Sequence, residues 1–181
     1  MLIIETKRLL LRDFERGDVA AYCTLTGDSK YQRFYSEEDC SVEKSRSLVE
    51  HFVLQSEELN RSKYQLAICL KSTGEFIGTV GLRVELNKQA SVGCGVGREF
   101  QSAGYAEEAM SALLTYGFDA LDIHRVYAET ISDNIPAIRL CKALGMREEA
   151  KFIENRFFKG KWWSTVIMAM LKTEWCRRSS H

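Results

Sequence analysis

The strongest hydrophobic period in the chain lies between positions 105 and 121 and has the spacing of a helix. The residues on its stripe are Met110, Leu113, Leu114, Gly117, Phe118 and Leu121. A single apolar face in a 3.6-residue period predicts an amphipathic helix with one buried side. The apolar run 92–96 comes before it and predicts a strand that reaches the helix through the turn 101–106.

Short apolar runs bounded by turn residues predict the strands of the chain. These runs are 2–14, 64–70, 76–84, 92–96, 125–131, 152–158 and 162–171. In the first run Leu9 and Leu11 alternate with Leu10 and Arg12, which suits a strand at or near a sheet edge. The last two runs flank the glycine-containing positions 159–161, and this arrangement predicts a hairpin.

The other helices are predicted to follow residues that can cap a helix N-terminus. Asp18 precedes a short helix and Ser41 precedes a longer one, while the aperiodic segment 28–41 between them predicts a loop. Either Asp133 or Asn134 caps the last helix.

These elements predict the order β-α-α-β-β-β-α-β-α-β-β, an α/β fold of mixed type with a mostly antiparallel sheet. The strands 92–96 and 125–131 are joined through the long helix, so we expect that pair to lie parallel. A length of 181 residues fits one domain. We therefore predict a single domain over 1–176 and a loose polar tail over 177–181.

Composition narrows the class of protein. Lys and Arg number 25 and Asp and Glu number 25, so the zero net charge gives no reason to expect nucleic acid as a partner. The six cysteines form no C-x-x-C pair, which argues against a zinc site and fits a reduced setting. The N-terminal segment carries Glu5 and no long apolar run, so it predicts neither signal peptide nor membrane span. We expect a cytoplasmic protein.

The turn 101–106, with the sequence QSAGYA, is the main candidate for ligand binding. It contains no proline and mostly small side chains, so its main-chain N–H groups can approach a ligand at the positive end of the helix dipole. This pattern is typical of a phosphate site, although an ordinary helix start fits it equally well. The nearby Gly93-x-Gly95-x-Gly97 is not a dinucleotide fingerprint, because Arg98 stands where the helix would begin.

Two segments together resemble the GNAT superfamily of acetyl-CoA-dependent N-acetyltransferases. The family's nucleotide signature is Gln or Arg, two residues, Gly, one residue, and Gly or Ala, and it matches Gln101, Gly104 and Ala106. A second family pattern, Asn-x-x-Ala-Ile-x-Leu-x-x-x-x-Gly, matches residues 134–145.

Further segments resemble one branch of that superfamily. They are the opening 6–12, the phrase 104–109 and the ending 172–175. This branch contains the Rim-type N-terminal acetyltransferases of ribosomal proteins and many relatives that act on small amines. The motifs specify the superfamily and its co-substrate, and leave the acceptor open.

The resemblance implies a GNAT-like acyl-CoA N-acyltransferase fold with a central, splayed pair of parallel strands, 92–96 and 125–131. It implies acetyl-CoA as co-substrate, with the pantetheine arm between those strands, and no metal. The residues implied in cofactor binding are Cys94, Gly95, Val96, Gln101, Ser102, Ala103, Gly104, Tyr105, Ala106 and Asn134. Asn134 fits an ordinary N-cap equally well, and the two roles are compatible.

The resemblance does not identify the catalytic acid and base. The positions where relatives carry Tyr, Ser and Glu hold Cys141, Ala137 and Arg156 here. Cys141 is a candidate acid, but it also lies on the apolar stripe of its helix and fits a buried structural thiol better.

Glu129 and Glu154 are candidate bases, and Glu85 is a further one. We expect Glu154 to share a strand face with Arg156, two residues on. Glu129 and Glu85 each fit a solvated charge at a strand end better than a catalytic role. A thiolate can leave without a dedicated acid, so the missing family residues do not exclude catalysis.

The implied function is transfer of acetyl from acetyl-CoA directly to a primary amine, on a peptide or protein N-terminus or on a small molecule. The alternative is a non-catalytic acyl-CoA-binding sensor or assembly module. Aromatic residues that could line an acceptor pocket, unless they pack in the core, are Tyr31, Phe34, Tyr35, Trp162 and Trp163. The resemblance is also compatible with a homodimer.

Overall fold

The computed structural model describes residues 1–179, which contain eight strands and six α-helices. The strands are β1 (Ile3–Glu5), β2 (Leu9–Asp13), β3 (Lys63–Leu70), β4 (Phe76–Glu85), β5 (Gln89–Val96), β6 (Arg125–Ile131), β7 (Arg147–Phe158) and β8 (Lys161–Leu171). The helices are α1 (Val19–Gly27), α2 (Ser29–Gln32), α3 (Val42–Ser56), α4 (Tyr105–Asp119), α5 (Ile135–Ala143) and α6 (Lys172–Ser179). Three 3₁₀ turns cover Arg16–Asp18, Leu86–Lys88 and Arg98–Phe100.

The chain forms two compact units, and the boundaries between them fall inside β4, β5 and α4. The first unit comprises Met1–Leu82 and Gly93–Leu113, and the second comprises Arg83–Val92 and the chain from Leu114 onward. The single domain predicted over 1–176 stays a prediction.

In the first unit the strand order is β1-β2-β3-β4-β5, and β2 is antiparallel to both β1 and β3. Leu9 and Leu11 are fully buried on β2 while Leu10 is half-buried, which confirms the predicted alternation. The α3 helix packs through Phe52 against Phe14, with ring centroids 5.1 Å apart. Burying a side chain of this size contributes roughly 1.5–3 kcal/mol to folding.

In the second unit the order is β5-β6-β8-β7. β6 is parallel to β5 over three registered pairs, Gln89↔Arg125 to Ser91↔Tyr127, as predicted. β8 is antiparallel to both β6 and β7. The β7–β8 hairpin turns at positions 159–160, both of which have positive φ.

The predicted stripe on α4 is confirmed, because Met110, Leu113, Leu114 and Phe118 are each at most 2% exposed. Leu121 lies beyond the end of the helix.

Several predicted boundaries were wrong. The run 2–14 forms two strands because the chain turns at Thr6, whose hydroxyl oxygen accepts a hydrogen bond from the N–H of Leu9 at 2.9 Å. The predicted loop 28–41 contains the short helix α2, whose N-cap Asp28 accepts two main-chain hydrogen bonds. β7 begins at Arg147 instead of 152. The prediction missed this start because the first residues of the strand are mostly charged and exposed and form no apolar run.

The end of the chain also differs from the prediction. The α6 helix covers Lys172–Ser179, so the loose tail predicted from 177 is wrong for 177–179, and the remainder of that predicted tail lies outside the described residues. Within residues 1–179 no helix is long and apolar enough to cross a membrane.

The cap predictions had mixed outcomes. The hydroxyl of Ser41 accepts a hydrogen bond from the N–H of Lys44, as predicted for the N-cap of α3. Asp18 directly precedes α1 but makes no capping bond to it. Its carboxylate instead binds the guanidinium of Arg12, with two N–O distances of 2.7 Å.

Candidate functional site

The loop that leads into α4 is an exposed turn at the start of a helix. Residues 101–104 are exposed, and Ser102 and Gly104 have φ values of 65° and 81°. The first helical hydrogen bond runs from the N–H of Glu108 to the carbonyl of Gly104 at 3.0 Å. The N–H groups of the first turn of any α-helix lack partners within the helix, and here they begin at an exposed loop of small residues.

An ion pair anchors this loop to the start of the chain. The carboxylate of Glu108 accepts hydrogen bonds from the Arg8 side chain at 2.6 Å, the Arg8 main chain at 2.8 Å and the Thr6 hydroxyl at 2.6 Å. Arg8 also donates to the carbonyl of Ala103 at 2.9 Å and lies over the Tyr105 ring. One guanidinium therefore holds both the loop and the first turn of α4.

This anchor was not predicted as such, because the residues that form it lie about one hundred positions apart in the chain. Burial acts to raise the pKa of Glu108, but the hydrogen bonds from Thr6 and Arg8 outweigh it and lower that pKa below its usual value. The carboxylate is thus held ionised beside the loop.

Two glycines of β5, Gly93 and Gly95, have different surroundings. A Cβ placed on Gly95 would lie 2.7 Å from the Tyr31 ring, whereas one placed on Gly93 would meet no atom within 4 Å. The absent side chain at Gly95 therefore makes room for Tyr31. At Val96 the carbonyl accepts a hydrogen bond from the Gln101 side chain at 3.1 Å, which ties the strand to the loop.

Tyr31 and Tyr35 form a stacked pair, with ring centroids 5.3 Å apart and planes at 7°. Burial, with Tyr35 next in effect, raises the pKa of Tyr31 well above its usual value. In the second unit Trp163 is buried and donates to the carbonyl of Phe158, so it packs in the core, while Trp162 is exposed.

Asn134 is the N-cap of α5, which resolves the choice between Asp133 and Asn134. Its side-chain oxygen accepts from the N–H of Ala137 at 3.4 Å, and its amide donates to the Thr130 hydroxyl at 3.2 Å. These bonds support the structural interpretation of Asn134 and leave its cofactor role a prediction.

Cys141 lies on the buried face of α5 and is 5% exposed. Burial raises the pKa of its thiol to about 11. The geometry favours the structural thiol over the catalytic acid, since a thiol in the core is poorly placed to meet a substrate.

Two of the candidate bases, Glu129 and Glu154, have surroundings that the sequence did not predict. The carboxylate of Glu129 accepts a hydrogen bond from the guanidinium of Arg156 at 2.7 Å, so the two charges offset each other. Glu154 lies in an irregular part of β7 with φ of 48°, where the register against β8 shifts between Phe152 and Arg156. This bulge breaks the alternation on which the predicted common face of Glu154 and Arg156 depended.

Sequence reasoning missed Tyr127, whose hydroxyl donates to the two carboxylate oxygens of Glu85 at 2.8 and 3.1 Å. Burial, and then the bond to Glu85, raise the pKa of Tyr127. The only sequence feature that could have identified Tyr127 is its hydroxyl-bearing side chain inside the otherwise strand-like run 125–131.

Among residues 1–179 no group of three or more His, Cys, Asp or Glu side chains could hold a metal ion.

The family model described as "Acetyltransferase (GNAT) domain" matches residues 8–147. The chain therefore belongs to the GNAT acetyltransferase family, and by class it is an N-acetyltransferase. The resemblance found in the sequence is confirmed.

Individual relatives agree with this class. The uncharacterized N-acetyltransferase YnaD of Bacillus subtilis is 32% identical over 95% of this chain and 98% of its own length. A spermidine N(1)-acetyltransferase of Vibrio cholerae is 25% identical over 95% of this chain and 98% of its own length.

Solved structures show the same fold. A GNAT-family acetyltransferase from Bacillus anthracis has a TM-score of 0.83 and 26% identity, covering 96% of this chain and 100% of its own. The ribosomal L7/L12 acetyltransferase RimL, in complex with coenzyme A, has a TM-score of 0.82 and 21% identity over 94% of this chain and 98% of its own, and shows the fold alone.

Proposed function

We propose that this enzyme takes acetyl from acetyl-CoA and transfers it directly to a primary amine, on a small cationic molecule or on a peptide N-terminus. The observation that carries the proposal is the exposed loop 101–104 opening into α4, held by the ion pair between Arg8 and Glu108. In the proposal the pyrophosphate rests on main-chain N–H groups of residues 101–106, where the helix dipole favours negative charge.

The pantetheine arm is proposed to bond to the main chain of Cys94–Val96, as an added β-strand would. The pairing of β5 with β6 supports this, because it covers only Gln89–Ser91 while β5 continues to Val96. Asn134 uses one acceptor and one donor position of its amide for the cap and for Thr130. An amide has further hydrogen-bonding positions, so a contact with the pantetheine arm is compatible with both bonds.

Acetyl-CoA, when bound, supplies an activated thioester. The protein then has to orient a neutral amine, stabilise the charge that develops on the carbonyl oxygen, and accept the proton that the nitrogen loses. A main-chain N–H between Cys94 and Val96 is our candidate for the second task. With Cys141 in the core, the departing thiolate takes its proton from solvent.

The test combines binding with turnover. Calorimetry measures acetyl-CoA binding, and released thiol measures transfer, across a panel of spermidine, amino acids and peptides with free N-termini. The Vibrio cholerae relative named for spermidine places polyamines first on that panel.

Binding with amine-dependent thiol release would support the proposal and define the acceptor class. No binding would contradict the cofactor assignment to residues 101–106. Binding without release across the panel would favour the alternative, an acyl-CoA-binding module without catalysis.

A further inference from the structure

The ring of Tyr31 occupies the space that a side chain at Gly95 would need. A Cβ on Gly95 would lie 2.7 Å from Tyr31 Cε2 and 3.2 Å from the Tyr31 hydroxyl oxygen, closer than van der Waals contact allows. The main chain at Gly95 lies outside the left-handed region, so its conformation alone would accept an alanine. The close approach of Tyr31 is therefore what excludes a side chain there, and both residues belong to the first unit.

Several contacts within the same unit fix the Tyr31 ring. Tyr31 belongs to α2, whose N-cap Asp28 accepts hydrogen bonds from the N–H groups of Lys30 and Tyr31 at 2.9 and 3.2 Å. The Asp28 carboxylate also pairs with Arg98 at 3.2 Å, just beyond the end of β5. The ring itself stacks on that of Tyr35. The Tyr31 ring therefore cannot leave Gly95 without breaking this stack or displacing α2.

The strand is also enclosed on its other sides at this point. Successive side chains of a strand point to opposite faces, and on the face opposite to Tyr31 Val96 is buried and Cys94 is half-buried. A Cβ on Gly78 of β4 would collide with the carbonyl oxygen of Gly95, so β4 packs directly against this main chain. The open part of the Gly95 face lies at Gly93, which is exposed.

This enclosed stretch coincides with the position proposed for the thioester. Under the proposed function, the main chain of Cys94–Val96 holds the pantetheine arm, and one of its N–H groups faces the thioester carbonyl. The acyl carbons continue from that carbonyl, so they start next to the main chain at Gly95. Acetyl adds only a methyl group, whereas a longer chain needs further space, and the Tyr31 ring fills the space on this face.

We infer that Tyr31 limits the acyl group of the bound acyl-CoA to acetyl, because its ring fills the space that a longer chain would need at Gly95. The inference rests on the proposed function and names the class of acyl donor for it. Tyr31 acts here through the size and position of its ring, and takes no part in proton transfer.

The experiment compares acetyl-CoA with butyryl-CoA as donors to one acceptor amine. Butyryl has two more methylene groups than acetyl, and each methylene that a pocket excludes typically changes kcat/KM by about 10-fold or more. We expect the unmodified enzyme to prefer acetyl-CoA by at least about 100-fold in kcat/KM, and Tyr31→Ala to reduce that preference by at least about 10-fold. Calorimetry measures the affinities for the same two acyl-CoA molecules.

Three variants separate ring size from other effects. Tyr31→Phe keeps the ring and should keep the preference, which excludes a role for the hydroxyl. Tyr116→Ala is the matched control, since it removes another half-buried tyrosine, from α4, and should leave the preference unchanged. Adding Gly95→Ala to Tyr31→Ala returns one carbon to the vacated space and should restore part of the preference.

The contact between Tyr31 and Gly95 has a test of its own. Gly95→Ala alone should lower the midpoint of urea denaturation, because the new methyl group meets the Tyr31 ring. The same substitution in the Tyr31→Ala protein should lower the midpoint much less. Equal losses in the two proteins would show that the ring does not occupy this space, and would overturn the inference.

The outcomes for the inference and for the proposed function are distinct. An equal preference in Tyr31→Ala and the unmodified enzyme would overturn the inference and leave the acetyltransferase intact. If Tyr31→Ala does not fold, Tyr31→Leu removes the ring while keeping an apolar side chain, and its preference decides instead. If the unmodified enzyme binds acyl-CoA but transfers to no amine, the proposed function fails, and the ratio of the two calorimetric affinities decides the inference. If it binds neither acyl-CoA, both fail.

Discussion

The loop of the first unit and the β6 region of the second unit present different chemistry. At the loop, the groups that we propose to bind a ligand belong to the main chain, and side chains such as Arg8 and Glu108 hold that main chain in place. Around β6 the polar groups belong to charged side chains, and most of these charges are paired with one another. The first arrangement needs small residues and the start of a helix, whereas the second depends on which side chains meet in three dimensions.

Among the substitutions that test this contrast, we expect the largest effect, on acetyl-CoA affinity, at Gly104. Gly104→Asp places a carboxylate where the pyrophosphate is proposed to rest, and like charges in contact cost several kcal/mol. We expect acetyl-CoA binding, measured by calorimetry, to weaken at least about 100-fold, because each 1.4 kcal/mol is a factor of ten.

Gly104→Ala is the control for backbone strain. Gly104 has φ of +81°, where an alanine costs about 1–2 kcal/mol and an aspartate costs less, because its side chain tolerates this conformation better. The aspartate variant should therefore bind far more weakly than the alanine variant. Equal affinities of the two variants would contradict the phosphate assignment.

The next effect concerns the anchor of the loop. Glu108→Gln keeps the shape of the side chain and removes the charge that accepts hydrogen bonds from Arg8 and Thr6. We expect a loss of about 1–3 kcal/mol in the free energy of unfolding at pH 7, measured by urea denaturation, because hydrogen bonds to charged groups are among the stronger ones. Glu107→Gln, exposed in the same turn, should cost much less.

The pH dependence of this loss has a defined sign. Since the pKa of Glu108 is lowered in the folded protein, its stabilisation is complete above the ordinary glutamate pKa of about 4.3 and is lost as the pH falls through the lowered value. The difference between the native protein and Glu108→Gln should therefore shrink as the pH is lowered below about 4.3. A difference that stays constant down to low pH would show that the charge of Glu108 is not the source of the effect.

The same contrast explains what could be predicted from sequence. The helix stripe on α4, the parallel pair β5–β6 and the turn 101–106 all depend on local pattern or chain connection, and they were predicted correctly as elements. The Arg8–Glu108 anchor depends on a contact between distant positions, so no local pattern could identify it.

The candidate bases show more clearly what could not be predicted from the sequence. Glu129 was expected as a solvated or catalytic charge, but it is paired with Arg156 across the sheet. Glu154 was expected on the face of Arg156, but a bulge in an exposed edge strand changes the alternation. The prediction assumed that side chains alternate between the two faces of a regular strand. β7 has too few buried apolar residues for its sequence to show where that alternation is interrupted.

A smaller effect is expected at Cys141. Cys141→Ala removes a buried sulfur, so it should lower the free energy of unfolding by about 1 kcal/mol. Because the thiol lies in the core, turnover at saturating acetyl-CoA should match that of the native enzyme at every pH from 7 to 9. A turnover loss in this variant, with native stability, would return the thiol to the catalytic site.

The smallest effect is expected at the ion pair between Glu129 and Arg156, whose side chains are 35% and 56% exposed. A double-mutant cycle with Glu129→Gln and Arg156→Gln, read by urea denaturation, should give a coupling energy of about 0.2–1 kcal/mol, as exposed pairs usually do. Turnover of Glu129→Gln should stay near that of the native enzyme, whereas loss of a catalytic base would reduce it by about 10²-fold or more. Such a reduction would make Glu129 the base, and the pairing of charges around β6 would then be part of the catalytic machinery.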